Sequence, residues 1–238
     1  GNDPSSTTST AQYNVAVGTT ALDAITTGVQ NVAVGYDALT TNTTGGYNMA
    51  LGSNSLAANT TGSQNTASGY NSLKANTTGS KNTASGSQVL LANTTGSQNT
   101  ASGFKGLSAT TTGNYNTALG YQAGDKITTG TYNVIIGADA DPSDVNAENQ
   151  IVVGYGATGQ GDNSVTLGNA AVTDVYMAQD SDATVHCGGI TDGIATLTGG
   201  ALSGLTSFST SSIAATTLTD GTATLTAGTL SGVYLSDG

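Results

Sequence analysis

A spacing of 17 residues, held without insertion or deletion over eight copies, constrains this chain more than any other feature. An asparagine returns at Asn14, Asn31, Asn48, Asn65, Asn82, Asn99, Asn116 and Asn133, each four residues before a glycine in the series from Gly18 to Gly137. A second glycine series runs from Gly28 to Gly130 at the same spacing, and each member follows Thr-Thr. Turn residues at fixed places in a fixed period specify stacked repeats, in which each unit buries its surface against its neighbours. Glycine makes up 34 of 238 residues, and aromatic residues only 5%. A chain so poor in core residues would read as disordered. The unbroken register argues against that, since a disordered chain has no reason to keep one.

The segments between glycines are too short and too glycine-dense for helices. Thr, Val and Ala alternate within them, as in strands. The expected fold is all-β: a parallel β-roll or β-solenoid whose 17-residue coils each hold two short strands and two bends. At ~4.8 Å per coil, eight coils span roughly 40 Å. Stacking places equivalent residues on top of one another. The eight asparagines should form a ladder of side-chain amides, and the Thr-Thr positions two more. Asn42, Asn59, Asn76 and Asn93 match the glycosylation triplet Asn-x-Thr, but they also recur at 17 residues and are read as stack positions.

Seven copies carry Ala at the middle strand position, from Ala16 to Ala118, and the last carries Ile135. The flanking pair changes along the stack. It is Val15 and Val17, Val32 and Val34, then Met49 and Leu51; Thr66 and Ser68, Thr83 and Ser85, Thr100 and Ser102 follow; Thr117 and Leu119, then Val134 and Ile136, close the series. If these flanks formed a private core, the middle coils would have almost none. The expectation is an obligate homotrimer, with Leu56, Leu73, Leu90 and Leu107 among its buried positions.

Four segments follow in order: a Ser/Thr-rich linker over 1–12, the repeat domain over 13–169, a neck over 170–189 and a thin β shaft over 190–238. Within the repeat domain the glycine spacing drops to 14 between Gly154 and Gly168, after an acidic insert from Asp139 to Glu148. In the shaft a period of 28 relates Asp192-Gly193-Ile194-Ala195-Thr196-Leu197 to Asp220-Gly221-Thr222-Ala223-Thr224-Leu225. Both termini read as cuts through a longer protein or as processed ends.

Charge excludes several classes of partner. The net charge is −11, the four basic residues are all lysine, and residues 127–238 hold eleven acids and no Lys or Arg. Without an arginine-bearing basic face, neither nucleic acid nor an anionic membrane surface is an expected partner. No apolar run approaches the ~20 residues that span a bilayer as a helix. The single cysteine, Cys187, rules out an intrachain disulfide framework.

Asn163-Ser164-Val165-Thr166-Leu167-Gly168 and the Asn-x-Ala-x-Gly frame before it resemble the head repeats of trimeric autotransporter adhesins. The Asn-Thr-Thr-Gly variant, the run Gly168-Asn169-Ala170-Ala171-Val172-Thr173-Asp174-Val175-Tyr176 and the period-28 shaft look more like bacteriophage tail-fibre and other virion fibre proteins. The resemblance implies a left-handed parallel β-roll with three chains side by side. It also implies a structural fibre on a virion, which spaces and stiffens the particle and attaches to a host surface. The runner-up is the passenger fragment of an adhesin on a bacterial cell surface; a glycan-cleaving tailspike is more distant.

No catalytic constellation stands out, so no enzyme, cofactor or metal is expected. His186 is the only histidine, and adjacent strand residues point to opposite faces, which keeps Cys187 from it. Asp139, Asp141, Asp144 and Glu148 are oxygen ligands of the kind Ca²⁺ takes, but they lack calcium-loop spacing and read as a solvated loop. Residues 38–124 contain no acid, so the coils cannot supply the carboxylate pair of a glycosidase. Surface aromatics are the candidate contact feature. Tyr36, Tyr70 and Phe104 recur every 34 residues in alternation with Ser53 and Ser87, and Tyr47, Tyr115 and Tyr132 sit beside the Asn ladder. They suit either a trimer interface or stacking on a host-surface glycan. Lys74, Lys81 and Lys105, in the acid-free middle, would favour an acidic one. Other fibre or particle proteins are expected at the termini.

Overall fold

The computed structural model describes residues 10–175. Most of the linker (1–9), the greater part of the neck (176–189) and the whole shaft (190–238) lie outside the described residues, as do His186 and Cys187.

Ten strands of three residues each form one parallel sheet in strict sequence order, one strand per coil. They are β1 (Val15–Val17), β2 (Val32–Val34), β3 (Met49–Leu51), β4 (Thr66–Ser68), β5 (Thr83–Ser85), β6 (Thr100–Ser102), β7 (Thr117–Leu119), β8 (Val134–Ile136), β9 (Ile151–Val153) and β10 (Val165–Leu167). The register never slips: Ala33 pairs with Ala50, Ala50 with Ala67, and Ala67 with Ala84. The chain is an all-β solenoid of 17-residue coils.

The coil differs from the two-strand expectation. Its second side is built from turns, with Leu22, Leu39, Leu56, Leu73, Leu90 and Leu107 in the left-handed region at φ between 49 and 54°. Left-handed backbone costs a leucine roughly 1–2 kcal/mol. Burying the side chain returns ~1.5–3 kcal/mol, and these leucines are fully or almost fully buried. Their N–H groups also bond the next coil, as Leu39 N–H does to Ser55 O (3.1 Å) and Leu56 N–H to Ser72 O (3.0 Å). Burial and hydrogen bonding together outweigh the strain. The turn still stacks like a strand, although its dihedrals are not those of one.

The core corrects a second expectation. Alternation along each strand turns the middle residue inward and both flanks outward. Ala33, Ala50, Ala67 and Ala84 are completely buried, whereas Val17, Leu51 and Thr83 are exposed. The Ser/Thr flanks of the middle coils are therefore not core positions. Each chain has its own core, an alanine row facing a leucine row, and Leu56, Leu73, Leu90 and Leu107 are buried inside one chain.

The two remaining sides of the interior are polar. The expected Asn ladder is present: Asn65 Oδ1 accepts from Asn82 N–H (3.0 Å) and Asn82 Nδ2 (3.2 Å), and the pattern repeats to Asn133. A second, shorter ladder runs through Asn42, Asn59, Asn76 and Asn93, with Nδ2-to-Oδ1 bonds of 2.8, 2.8 and 2.7 Å. Between them lie the carbonyls of the Thr-Thr-Gly corner. Gly79 O accepts from Asn65 Nδ2 and from Asn76 Nδ2, both at 2.9 Å. A buried carbonyl without donors is costly, so both ladders satisfy the corner as well as each other. Only the first threonine of each pair forms a side-chain ladder: Thr60 Oγ1 donates to Thr77 O (3.1 Å), while the second is exposed.

The acidic insert is also corrected, because it is an ordinary coil. Gly137 and Gly154 keep the 17-residue spacing, Thr131 bridges to Glu148, and Asp141 to Thr158. Gln150 takes the ladder position of asparagine, its N–H bonding Asn133 Oδ1 at 3.0 Å.

Candidate contact surface

The outward face of the sheet has two strand columns, flanked at either strand end by a further column. The strand columns are aliphatic in the first coils (Val15, Val17, Val32, Met49, Leu51), where exposures run from 38 to 56%. They become hydroxylated over β4 to β6, then aliphatic again at Leu119, Ile136, Ile151, Val165 and Leu167, all exposed. Nothing in the core changes across these boundaries, since Ala and Leu continue inside.

The flanking column after each strand holds Tyr36, Ser53, Tyr70, Ser87, Phe104 and Tyr121 in successive coils. All four rings are exposed. Phe104 and Tyr121, in adjacent coils, stack with centroids 5.5 Å apart and planes at 18°. The column before each strand holds Tyr13, Tyr47, Tyr115 and Tyr132; the last two stack at 4.9 Å and 12°. Centroid distances of this size are those of favourable aromatic pairs, and the coil rise sets them. Sequence reading singled out Tyr36, Tyr70 and Phe104, and the structure puts them in one column. It missed Tyr121, although the 17 residues separating it from Phe104 were a sufficient signal.

Backbone hydrogen bonds fix this column. The N–H that follows each ring position bonds the carbonyl one coil earlier: Asn71 N–H to Ser53 O (3.0 Å), Gln88 N–H to Tyr70 O (2.9 Å), Lys105 N–H to Ser87 O (3.1 Å). Asn54, Asn71, Gln88 and Lys105 all have positive φ, which Asn tolerates better than Gln or Lys. Lys105 Nζ stands over the Phe104 ring, 5.4 Å from its centroid.

The other sequence candidates separate into structural roles. Asn14 is half-buried and Asn31, Asn48, Asn65, Asn82, Asn99, Asn116 and Asn133 are buried, so the ladder faces the interior. Asn42, Asn59, Asn76 and Asn93 are fully buried with their amides bonded inside the coil, which leaves no room for a sugar on them. The acidic residues do not converge: among the described residues no three of His, Cys, Asp or Glu could share a metal ion. Asp141 instead pairs with Lys126 (Oδ2 to Nζ, 2.8 Å). Burial raises the Asp141 carboxyl above its ordinary range against the opposing pull of the Lys126 hydrogen bond, and that bond raises the Lys126 ammonium in turn.

A hollow of about 670 Å³ opens at the last coil, lined by Gly156, Thr158, Gln160, Thr166, Gly168 and Asn169 among others. Thr166 holds the inward position that Val152 and Ile135 fill in the preceding coils, and its hydroxyl is buried without a partner. This is the end of the described stack. Among the described residues no helix is long and apolar enough to cross a membrane. No known protein family, curated protein or solved structure matches this chain.

Proposed function

We propose that the chain is the structural element of a homotrimeric fibre on a phage or phage-like particle, which spaces and stiffens the particle and presents a surface to the host. The observation that supports this best is the outward strand face. Aliphatic rows at both ends of the sheet are exposed in the single chain, although nothing in the chain's own fold requires aliphatic residues there. Contiguous exposed apolar surface of this kind marks association, and identical chains of identical register match it coil for coil. Trimerisation therefore rests on this face, the leucines being already buried within each chain.

Rigidity comes from the chain itself. Each coil is tied to the next by strand bonds, the two Asn ladders and the threonine carbonyl bonds, so bending the stack breaks several at once. Such a unit suits mechanical spacing better than catalysis, and the reading includes no enzymatic step. Other fibre or particle proteins would join it at its termini, and a host glycan is the expected contact along its sides.

The test is the mass of the purified 238-residue chain by light scattering at micromolar concentration. Three times the 23.2 kDa chain mass is expected, falling toward one chain when Val17 and Leu51 are both changed to Asp. A folded wild-type monomer would end the trimer reading.

A further inference from the structure

The alternation of aromatic and serine residues after the strands has a geometric consequence. Where two rings occupy adjacent coils they stack on each other, as Phe104 and Tyr121 do at 5.5 Å. Where a serine intervenes, the rings stand two coil rises apart, ~9.6 Å. Tyr70 and Phe104 then face one another across Ser87, and Tyr36 and Tyr70 across Ser53. Two carbon contacts of ~3.5–4.0 Å, one on each face of a guest, take up about 7–8 Å. The pucker of a saturated ring fills most of the remainder, whereas a flat ring would touch only one wall. Such a cleft selects a sugar ring over an aromatic one. The backbone bonds from Gln88 N–H to Tyr70 O and from Lys105 N–H to Ser87 O hold the spacing before any guest arrives.

The two clefts differ in charge. Asp37 follows Tyr36 at the first; Lys105 follows Phe104 at the second. Tyr121 covers one face of Phe104, which leaves the Lys105 ammonium, 5.4 Å from the ring centroid, on the face turned to Ser87. No carboxylate lies anywhere in residues 38–124 to neutralise it.

We propose that the cleft between Tyr70 and Phe104, floored by Ser87 and edged by Lys105, binds a pyranose ring bearing a carboxylate. The rings cover its two apolar faces, the Ser87 hydroxyl meets a ring oxygen or hydroxyl, and Lys105 exchanges its contact with Phe104 for the carboxylate. The proposal deepens the attachment half of the fibre reading and rests on it for placing the sugar on a host envelope; the cleft itself is complete in one chain.

The experiment titrates the full chain with a galacturonic-acid oligosaccharide, a sialylated oligosaccharide and a neutral galactose oligosaccharide, followed by saturation-transfer NMR, with light scattering on every sample. At least one carboxylated sugar is expected to bind about tenfold more tightly than the neutral one, the effect of one charge-assisted contact. Which of the two does so identifies the source, a uronic or a sialic acid. Lys105→Gln should equalise carboxylated and neutral sugars. Ser87→Tyr should abolish binding, because it puts a ring at the adjacent-coil spacing that Phe104 and Tyr121 already tolerate. Tyr36→Ser, in the other cleft, should leave binding unchanged. Wild-type affinity in Ser87→Tyr, no preference for a carboxylate, or a change of mass in Ser87→Tyr would each overturn the proposal, the last by placing these rings in a chain–chain contact. Trimers that bind none of the sugars would sink the cleft and leave the fibre; a monomer that binds would sink the fibre and leave the cleft.

Discussion

The inward and outward faces of the same ten strands obey different rules. Inward, every strand from β1 to β7 offers alanine, and the strands after it offer Ile135, Val152 and Thr166. Outward, Val, Met, Leu, Ile, Thr and Ser replace one another with no change of register. The width of the interior is set by the alanine row meeting the leucine row, so a substitution there disturbs every neighbouring coil. A substitution on the outside disturbs only what the face touches. Coils with Thr-Ala-Ser and coils with Val-Ala-Val fold alike, which separates the information for folding from the information for association.

The sharpest way to break that contrast is one charge on each face. Asn65 is fully buried; its Nδ2 donates to Asn48 Oδ1 (3.2 Å) and Gly79 O (2.9 Å), and its Oδ1 accepts from Asn82. Asn65→Asp removes both donors and sets a carboxylate against two oxygens, so a loss of more than about 3 kcal/mol is expected. Ser85→Asp, exposed two residues beyond the next ladder position Thr83, should cost under ~0.5 kcal/mol. Denaturant unfolding followed by circular dichroism measures both; equal losses would refute the division between faces. Next in size is Leu73→Ala, expected to cost ~2–5 kcal/mol by opening a core cavity. Leu51→Ala on the outer face should cost far less in a single chain. A Leu51→Ala loss that grows with protein concentration would place that residue in the association face.

The repeat was legible because it is written in residue identity. Asn at one spacing and Thr-Thr-Gly at another identified the stack, both Asn ladders and the corner between them. The cross-section was not legible. Strand alternation groups Val15 with Val17 against Ala16, but it does not say which group faces in, and a row of alanines serves a narrow core or a close chain contact equally well. Leucine carries no signal for left-handed backbone, so the side opposite the sheet read as a second strand. Pro142 and the cluster of acids disguised a regular coil, though the spacing from Gly137 to Gly154 had not changed. In the candidate site, the 34-residue recurrence marked Tyr36, Tyr70 and Phe104. The adjacent-coil stacking of Tyr121, and the contrast it makes with the serine-separated rings, needed the coil rise.

Lys126 and Asp141 test the inner rule with charge and pH together. Asp141 is buried at 6% exposure, one carboxylate oxygen bonded to Lys126 and the other without a partner. Lys126→Met strands that carboxylate, at a cost of about 1–3 kcal/mol at neutral pH. The sign of the pH effect follows from the raised folded-state carboxyl. The folded protein holds the Asp141 proton more tightly than the unfolded one does. Stability from this group is therefore gained as pH falls through the folded value and is fully present below the unfolded one. The Lys126→Met deficit should shrink as the buffer is taken from neutral to mildly acidic. A deficit that is constant or grows on acidification would show that Asp141 is not its cause.

The smallest effect expected belongs to the outer columns and concerns backbone alone. Gln98 precedes the ladder residue Asn99, is exposed, and has φ 60°. Its side chain is not needed by the core, and its N–H bonds Ser80 O at 3.0 Å whatever the side chain is. Asparagine enters the left-handed region more readily than glutamine, and Asn149 and Asn163 already occupy equivalent places at φ 52° and 58°. Gln98→Asn should therefore stabilise the chain by about 0.5 kcal/mol, within the left-handed cost for an ordinary residue, visible as a small rise in denaturation midpoint. The same exchange should leave the association state untouched, because Gln98 lies outside the strand columns. Destabilisation would mean that the glutamine side chain makes a contact its exposure does not suggest, and that this outer column is less free of the fold than its variety of residues implies.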